Sequence, residues 1–147
     1  MAFRKKFEQV VALKPDLRFI QEYEHPGKLA TLFPTSLYQE IHWYGDNPHK
    51  GLAVIKFTAY KLKLLDIHNP EFRYILPYAL TNGHKTIQIF HIWAMPNQED
   101  RKKSYVGQIW HALQYYPIIK DPANLIGDFN SYVQWDDERK EGNHSAM

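Results

Sequence analysis

The stretch Asn124-Leu125-Ile126-Gly127-Asp128-Phe129-Asn130-Ser131 reads as an apolar strand running out into a carboxylate and a carboxamide. Asp128 and Asn130 are two positions apart, so in an extended chain both side chains leave one face while Phe129 leaves the other. That face then carries an acceptor and a donor together. Such a pair can hold a metal-bound or activated water and at the same time hydrogen-bond phosphate oxygens. Gly, Asp, Asn and Ser are also the residues that turns prefer, so the same letters describe a plain polar turn after a strand. The segment alone does not choose between the two.

A second strand end lies far upstream. Pro15-Asp16-Leu17-Arg18-Phe19-Ile20-Gln21-Glu22 is again a short apolar run that closes on an acid. A third segment, Thr86-Ile87-Gln88-Ile89-Phe90-His91-Ile92-Trp93, has a histidine near the end of an otherwise apolar strand. In this order the segments resemble the endonuclease/exonuclease/phosphatase superfamily, the DNase I-like fold. Its signature strands end in Gln-Glu and in Gly-Asp-x-Asn, matched here by Gln21-Glu22 and by Gly127-Asp128-Phe129-Asn130.

The resemblance implies an α/β layered sandwich with a mixed β-sheet in a single domain over residues 1–147, and hydrolysis of a phosphate ester by activated water. Glu22 would be the metal ligand, for Mg²⁺ or Mn²⁺. Asp128 would orient or deprotonate the attacking water. Asn130 would hydrogen-bond the nucleophile or the substrate's phosphoryl oxygens, and His91 would contact the scissile phosphate or protonate the leaving group. A phosphodiester-cleaving nuclease is the leading expectation, with DNA, RNA, inositol phosphates and lipids all open as substrates. Without the resemblance, Glu22 reads as a strand-terminal surface acid, His91 as a satisfied core imidazole and Trp93 as core.

Family domains also carry an Asn-bearing strand before the first helix, and later strands with Asp and Ser-Asp-His segments. The chain is therefore expected to be a partial, truncated domain. The alternative function is then a catalytically incompetent piece, acting as a binding or partner-completed module that associates through exposed sheet edges. Asp136, Asp137 and His144 do supply an acid and an imidazole, but in a charged stretch poor in strand formers, where solvated charge is the simpler account.

Composition sets the frame. With 147 residues, 44% hydrophobic and 15% aromatic, the chain has material for one core. There is no cysteine, which excludes disulfide scaffolds and thiolate metal sites. His25, His42, His49, His68, His84 and His111 have no zinc-motif spacing. No uncharged apolar run reaches the roughly 20 residues of a membrane helix, and Met1 to Phe7 lacks a signal-peptide core, so a cytoplasmic location is expected. A net charge of +2 is too mild to announce nucleic acid and does not exclude it.

Along the chain, Phe3, Phe7, Val10 and Val11 fall at helical spacing, with Arg4, Lys5 and Lys6 on the wet side, and Lys14-Pro15 ends that helix. A loop through His25-Pro26-Gly27 comes next, and a return strand starts near Glu40. Strands are expected over Leu52 to Phe57, Lys61 to Ile67 and Phe72 to Leu80, forming a meander; Pro77 points to an edge or a bulge in the last. Asn82-Gly83 signals a hairpin into Lys85 to Trp93. Tyr105, Ile109, Ala112, Leu113 and Tyr116 predict a helix over Arg101 to Tyr116 with Asn97 as N-cap. Ile118-Ile119 and Asn124 to Phe129 return to the sheet, ahead of a charged tail from Asp136 to Glu141.

Overall fold

Period-two alternation sorts the strand residues onto two faces, and burying both faces takes more than one layer. In the computed structural model, residues 3–30, 34–116 and 123–131 are described. The elements are α1 (Phe3–Ala12), β1 (Leu17–Tyr23), α2 (Pro26–Leu29), β2 (Glu40–Asn47), β3 (Lys50–Lys56), β4 (Lys61–Leu64), β5 (Ile75–Thr81), β6 (Thr86–Trp93), α3 (Val106–Tyr115) and β7 (Ala123–Asp128). Sheet A has the order β1-β3-β2 and is antiparallel. Sheet B has the order β4-β5-β6-β7; its last pair is parallel, which makes it a mixed sheet.

Between the sheets, Leu52 and Val54 of β3 meet Leu76, Tyr78 and Leu80 of β5 and Ile89 and Trp93 of β6, with Leu17 and Phe19 of β1 alongside. The outer face of sheet A buries Ala53 and Ile55 against Phe7 of α1, Leu29 of α2 and Tyr23. The outer face of sheet B buries Ile75, Phe90 and Ile92 under Ile109 and Ala112 of α3. The result is a four-layer α/β/β/α sandwich, as expected from the sequence. Each fully buried aliphatic or aromatic side chain contributes on the order of 1.5–3 kcal/mol, so the layers hold by area and not by any single contact.

Several local expectations are corrected. β3 is not part of a meander with β4 and β5: it is the centre of sheet A, and the chain crosses to sheet B between Lys56 and Lys61. Pro77 lies on an interior strand, not at an edge. Its carbonyl accepts from Leu65 N just beyond the end of β4, so its missing N–H falls where no ladder partner is needed. The helix predicted over Arg101 to Tyr116 is broken in two, a short 3₁₀ turn at Arg101–Lys103 and then α3, with Tyr105 between them in the left-handed region at φ 49°. Asn97 Oδ1 caps the turn ahead of these, accepting from Glu99 N and Asp100 N. His25 N-caps α2 inside the segment read as loop.

The Asn82-Gly83 hairpin forms, with a longer loop closed by Asn82 N donating to Lys85 O. Pro117, Ile118-Ile119 and the tail from Asp136 to Glu141 with His144 lie outside the described residues. Among the described residues no helix is long and apolar enough to cross a membrane.

Candidate functional site

The site is built on an irregularity in β1. Ile20 pairs with Ala53 and Tyr23 with Gly51, so Gln21 and Glu22 together stand against Leu52 alone. This is a β-bulge, an extra residue that bends the strand and re-aims the side chains beyond it. Leu17 and Phe19 face the inter-sheet core and Ile20 faces the helices; after the bulge Tyr23 is on the helix side too, where unbroken alternation would have turned it inward. Glu22 absorbs the change at φ 56° and stays exposed. It makes no hydrogen bond or ion pair with any described residue, as a carboxylate open to a ligand would.

Gln21 is thrown across to sheet B, its Nε2 lying 3.0 Å from His91 Nε2. With the amide as donor, His91 Nε2 accepts and the ring proton sits on Nδ1. The sequence placed His91 at the strand end facing the site. The structure instead holds it two positions short of that end, with no exposed surface and edge-on to Phe19 at 5.2 Å. Burial pushes its pKa down to about 3, and its Nδ1 has no hydrogen-bond partner. A neutral, enclosed imidazole cannot protonate a leaving group at neutral pH. What the ring does in this fold is hold Gln21, and through it the bulge.

At the other wall, β7 lies close against β6. A Cβ on Gly127 would run into the carbonyl oxygen of Ile92, and φ there is 149°, so only glycine fits. Asp128 pairs with Trp93, and its carbonyl accepts from Ala94 N at 2.8 Å. The strand then stops. Asn130 is left-handed at φ 46°, its N–H donates to Asp128 Oδ1 at 2.9 Å, and its Nδ2 donates to Ala94 O at 2.7 Å.

The two side chains therefore do not project in parallel from an extended strand. They form a turn that locks the ends of β6 and β7, which was the plainer of the two readings. The lock still leaves Asp128 Oδ2 and the second amide hydrogen of Asn130 without a partner among the described residues. Asp128 is exposed and Asn130 half-buried, so the turn keeps both groups within reach of solvent.

β1 packs on both β6 and β7, so Glu22 comes to the same end of the sandwich as Asp128 and Asn130. The end also gathers residues that the sequence reading passed over. Asp46 at the end of β2 accepts from Tyr74 Oη at 2.8 Å and from Arg73. Burial pulls the Asp46 carboxyl up, but these hydrogen bonds and the guanidinium charge outweigh it and hold it below the usual range. Arg73 caps the Tyr74 ring at 5.5 Å, Tyr74 packs on Trp93 with centroids 5.0 Å apart, and Lys50 Nζ lies 5.4 Å from the Trp93 ring centre. Trp93 itself is core. The available signal was the turn Asn47-Pro48-His49-Lys50-Gly51, which marks a hairpin tip but not what it faces.

Among the described residues no group of three or more His, Asp or Glu side chains is close enough to cage a metal. Glu22, exposed at the end of β1, offers a hard oxygen donor of the kind that Mg²⁺ takes one or two of beside water and phosphate.

No family model and no curated protein matches the sequence. Solved structures do. A truncated TDP2 from Caenorhabditis elegans superposes with a TM-score of 0.60 at 14% identity, over 97% of this chain and 61% of that one. A second TDP2 structure from the same organism gives the same score and identity over 97% of this chain and 46% of its own. TDP2 is DNase I-like, so the fold expected from the three strand ends is the fold found. The chain spans about half the length of the proteins it matches.

Proposed function

We propose that this chain carries part of the active site of a metal-dependent phosphoesterase acting on phosphodiester bonds. The observation that carries the reading is the Gln21–His91 hydrogen bond across the sheets, which ties the β1 bulge that holds Glu22 to β6, whose His91 pairs with Ile126 two positions before Asp128. Glu22 and Asp128, more than a hundred positions apart in the chain, lie on strands that pack together at one end of the sandwich, which supports the reading. Glu22 would hold Mg²⁺ or Mn²⁺, which when bound supplies charge neutralisation to a phosphoryl group. Asp128, through Oδ2, orients and deprotonates the attacking water. Asn130 donates its second amide hydrogen to a phosphoryl oxygen as charge develops there. His91 is a positioning residue, acting through Gln21.

The test is Mg²⁺- or Mn²⁺-dependent cleavage of plasmid DNA and of a chromogenic phosphodiester, comparing the native chain with Glu22→Gln and Asp128→Ala. Each substitution should lower the rate at least tenfold, since the groups act as a unit. Equal rates in all three proteins would remove both residues from the chemistry.

A second reading is favoured by one observation, the share of the matched chains that is spanned. On it the chain is a module that works only when completed by another polypeptide, and by itself hydrolyses at background rate. Activity regained on mixing with a polypeptide that supplies the remaining strands would support this version.

A further inference from the structure

The Arg73, Tyr74, Trp93 and Lys50 stack has a cation at each end, and the two differ. Arg73 is neutralised by Asp46. Lys50 has no anionic partner among the described residues: its side chain makes no hydrogen bond or ion pair with any of them and lies over the Trp93 ring. Trp93 pairs with Asp128 in the β6–β7 ladder, while Gly51, next to Lys50, pairs with Tyr23 immediately after Glu22. The β2–β3 hairpin thus carries, at the end where β1 holds Glu22 and β7 holds Asp128, an ammonium with no anionic partner among the described residues. The contact of the charge with the indole face fixes its place without neutralising it. The hairpin tip is itself anchored, His25 N donating to Pro48 O at 3.1 Å and Lys28 Nζ lying 3.0 Å from His49 Nδ1.

An exposed cation held over Trp93 at the end of the sandwich that also carries Glu22 and Asp128, with a third carboxylate committed to Arg73, is the group that would offset the repulsion an anionic ligand meets there. We infer that Lys50 is a substrate-binding residue, contacting a non-bridging oxygen of a phosphate ester at this end of the sandwich. The inference rests on the phosphoesterase reading for its ligand class, but not for its geometry. The ester can sit on a nucleic-acid strand or on a small molecule, the shared chemistry being a phosphodiester anion.

Binding is measured in chelator, apart from hydrolysis, by fluorescence anisotropy of a labelled single-stranded oligodeoxynucleotide, with bis(4-nitrophenyl) phosphate as competitor in a second arm. Lys50→Gln should weaken oligonucleotide binding roughly fivefold and flatten the slope of log K against log salt by about 0.7, the loss of one phosphate contact. Lys50→Arg should restore both, and Lys85→Gln, on the hairpin at the far end of β6, should change neither. Bis(4-nitrophenyl) phosphate should displace the oligonucleotide from the native chain, and failure to displace it would assign the contact to a polymer and not to a small ester.

Lys50→Gln with native affinity and salt slope overturns the inference, as does a native chain that binds neither probe. Equal weakening by Gln and Arg also overturns it, since charge is then not what matters. The phosphoesterase reading fails separately: Lys50-dependent binding with no metal-dependent hydrolysis leaves the anion contact standing and removes the reaction.

Discussion

A histidine sealed between two sheets makes the stability of this chain depend on acid. His91 stays neutral when folded, with a pKa near 3, and takes up a proton below its ordinary 6.5 when unfolded. Between those values the unfolded chain binds more protons, so stability falls as pH drops, by at most about 1.4 kcal/mol per pH unit for this group. Burial lowers His68 in the same direction. Urea unfolding from about pH 7.5 to about pH 4.5 should show this loss, and His91→Asn should be weaker at neutral pH but flatter across the interval. Parallel profiles in the two proteins would take His91 out of the acid response. At Gly127 the expectation concerns shape instead. Gly127→Ala meets the Ile92 carbonyl with no flexible side chain to yield, and should cost about 3 kcal/mol or prevent folding, read as a lowered melting temperature. The letters Gly-Asp-Phe-Asn were legible as a site and as a turn, and the turn is what the structure forms. His91 was legible as a polar residue on an apolar strand; that it stops short of the rim depends on where β6 ends, which Trp93 and Ala94 decide by pairing with Tyr74 and Asp128.

The bulge in β1 is the element on which the candidate site turns, and it holds a non-glycine residue in the left-handed region, a cost of about 1–2 kcal/mol. Strain of this kind persists where the surroundings over-determine it, here through Gln21 on His91 and the Trp43 Nε1 bond to Tyr23 O. Glu22→Gly should therefore stabilise the fold by about 0.5 kcal/mol or more while abolishing metal-dependent hydrolysis. A loss of stability on that change would mean that the Glu22 side chain supports the fold, and would weaken its assignment as a ligand. Period and punctuation made the strands themselves readable, including the Gln21-Glu22 end. The bulge was not readable, because nothing in Phe19-Ile20-Gln21-Glu22-Tyr23 says that two residues will face the single Leu52. The meander failed for a related reason. Phe57-Thr58-Ala59-Tyr60 has no Gly or Pro to mark a crossing between sheets, and apolar alternation is the same whichever sheet a strand joins.

Among the described residues four strands form the edges of the two sheets, and they are not equally protected. β1 is bent by its bulge, β2 carries Glu40 and Asp46, and β4 is a four-residue strand with Lys61 and Lys63. Bulges, charges and short length are the means by which sheet edges avoid pairing with other chains. β7, Ala123-Asn124-Leu125-Ile126-Gly127-Asp128, has no proline or bulge, its one charge is Asp128 at the last position, and Leu125 is exposed. Among the described residues β6 is its only neighbour in the sheet. The expectation, drawn first from the sequence, is that the chain associates through its sheet edges, and β7 is the edge we propose for it. Sedimentation velocity over a range of concentrations should show reversible association, and Leu125→Lys should shift the distribution toward monomer without lowering the melting temperature by more than about 1 kcal/mol equivalent, since Leu125 is already wet. Association unchanged by Leu125→Lys would assign it to another edge. A single species at every concentration would overturn association through this edge.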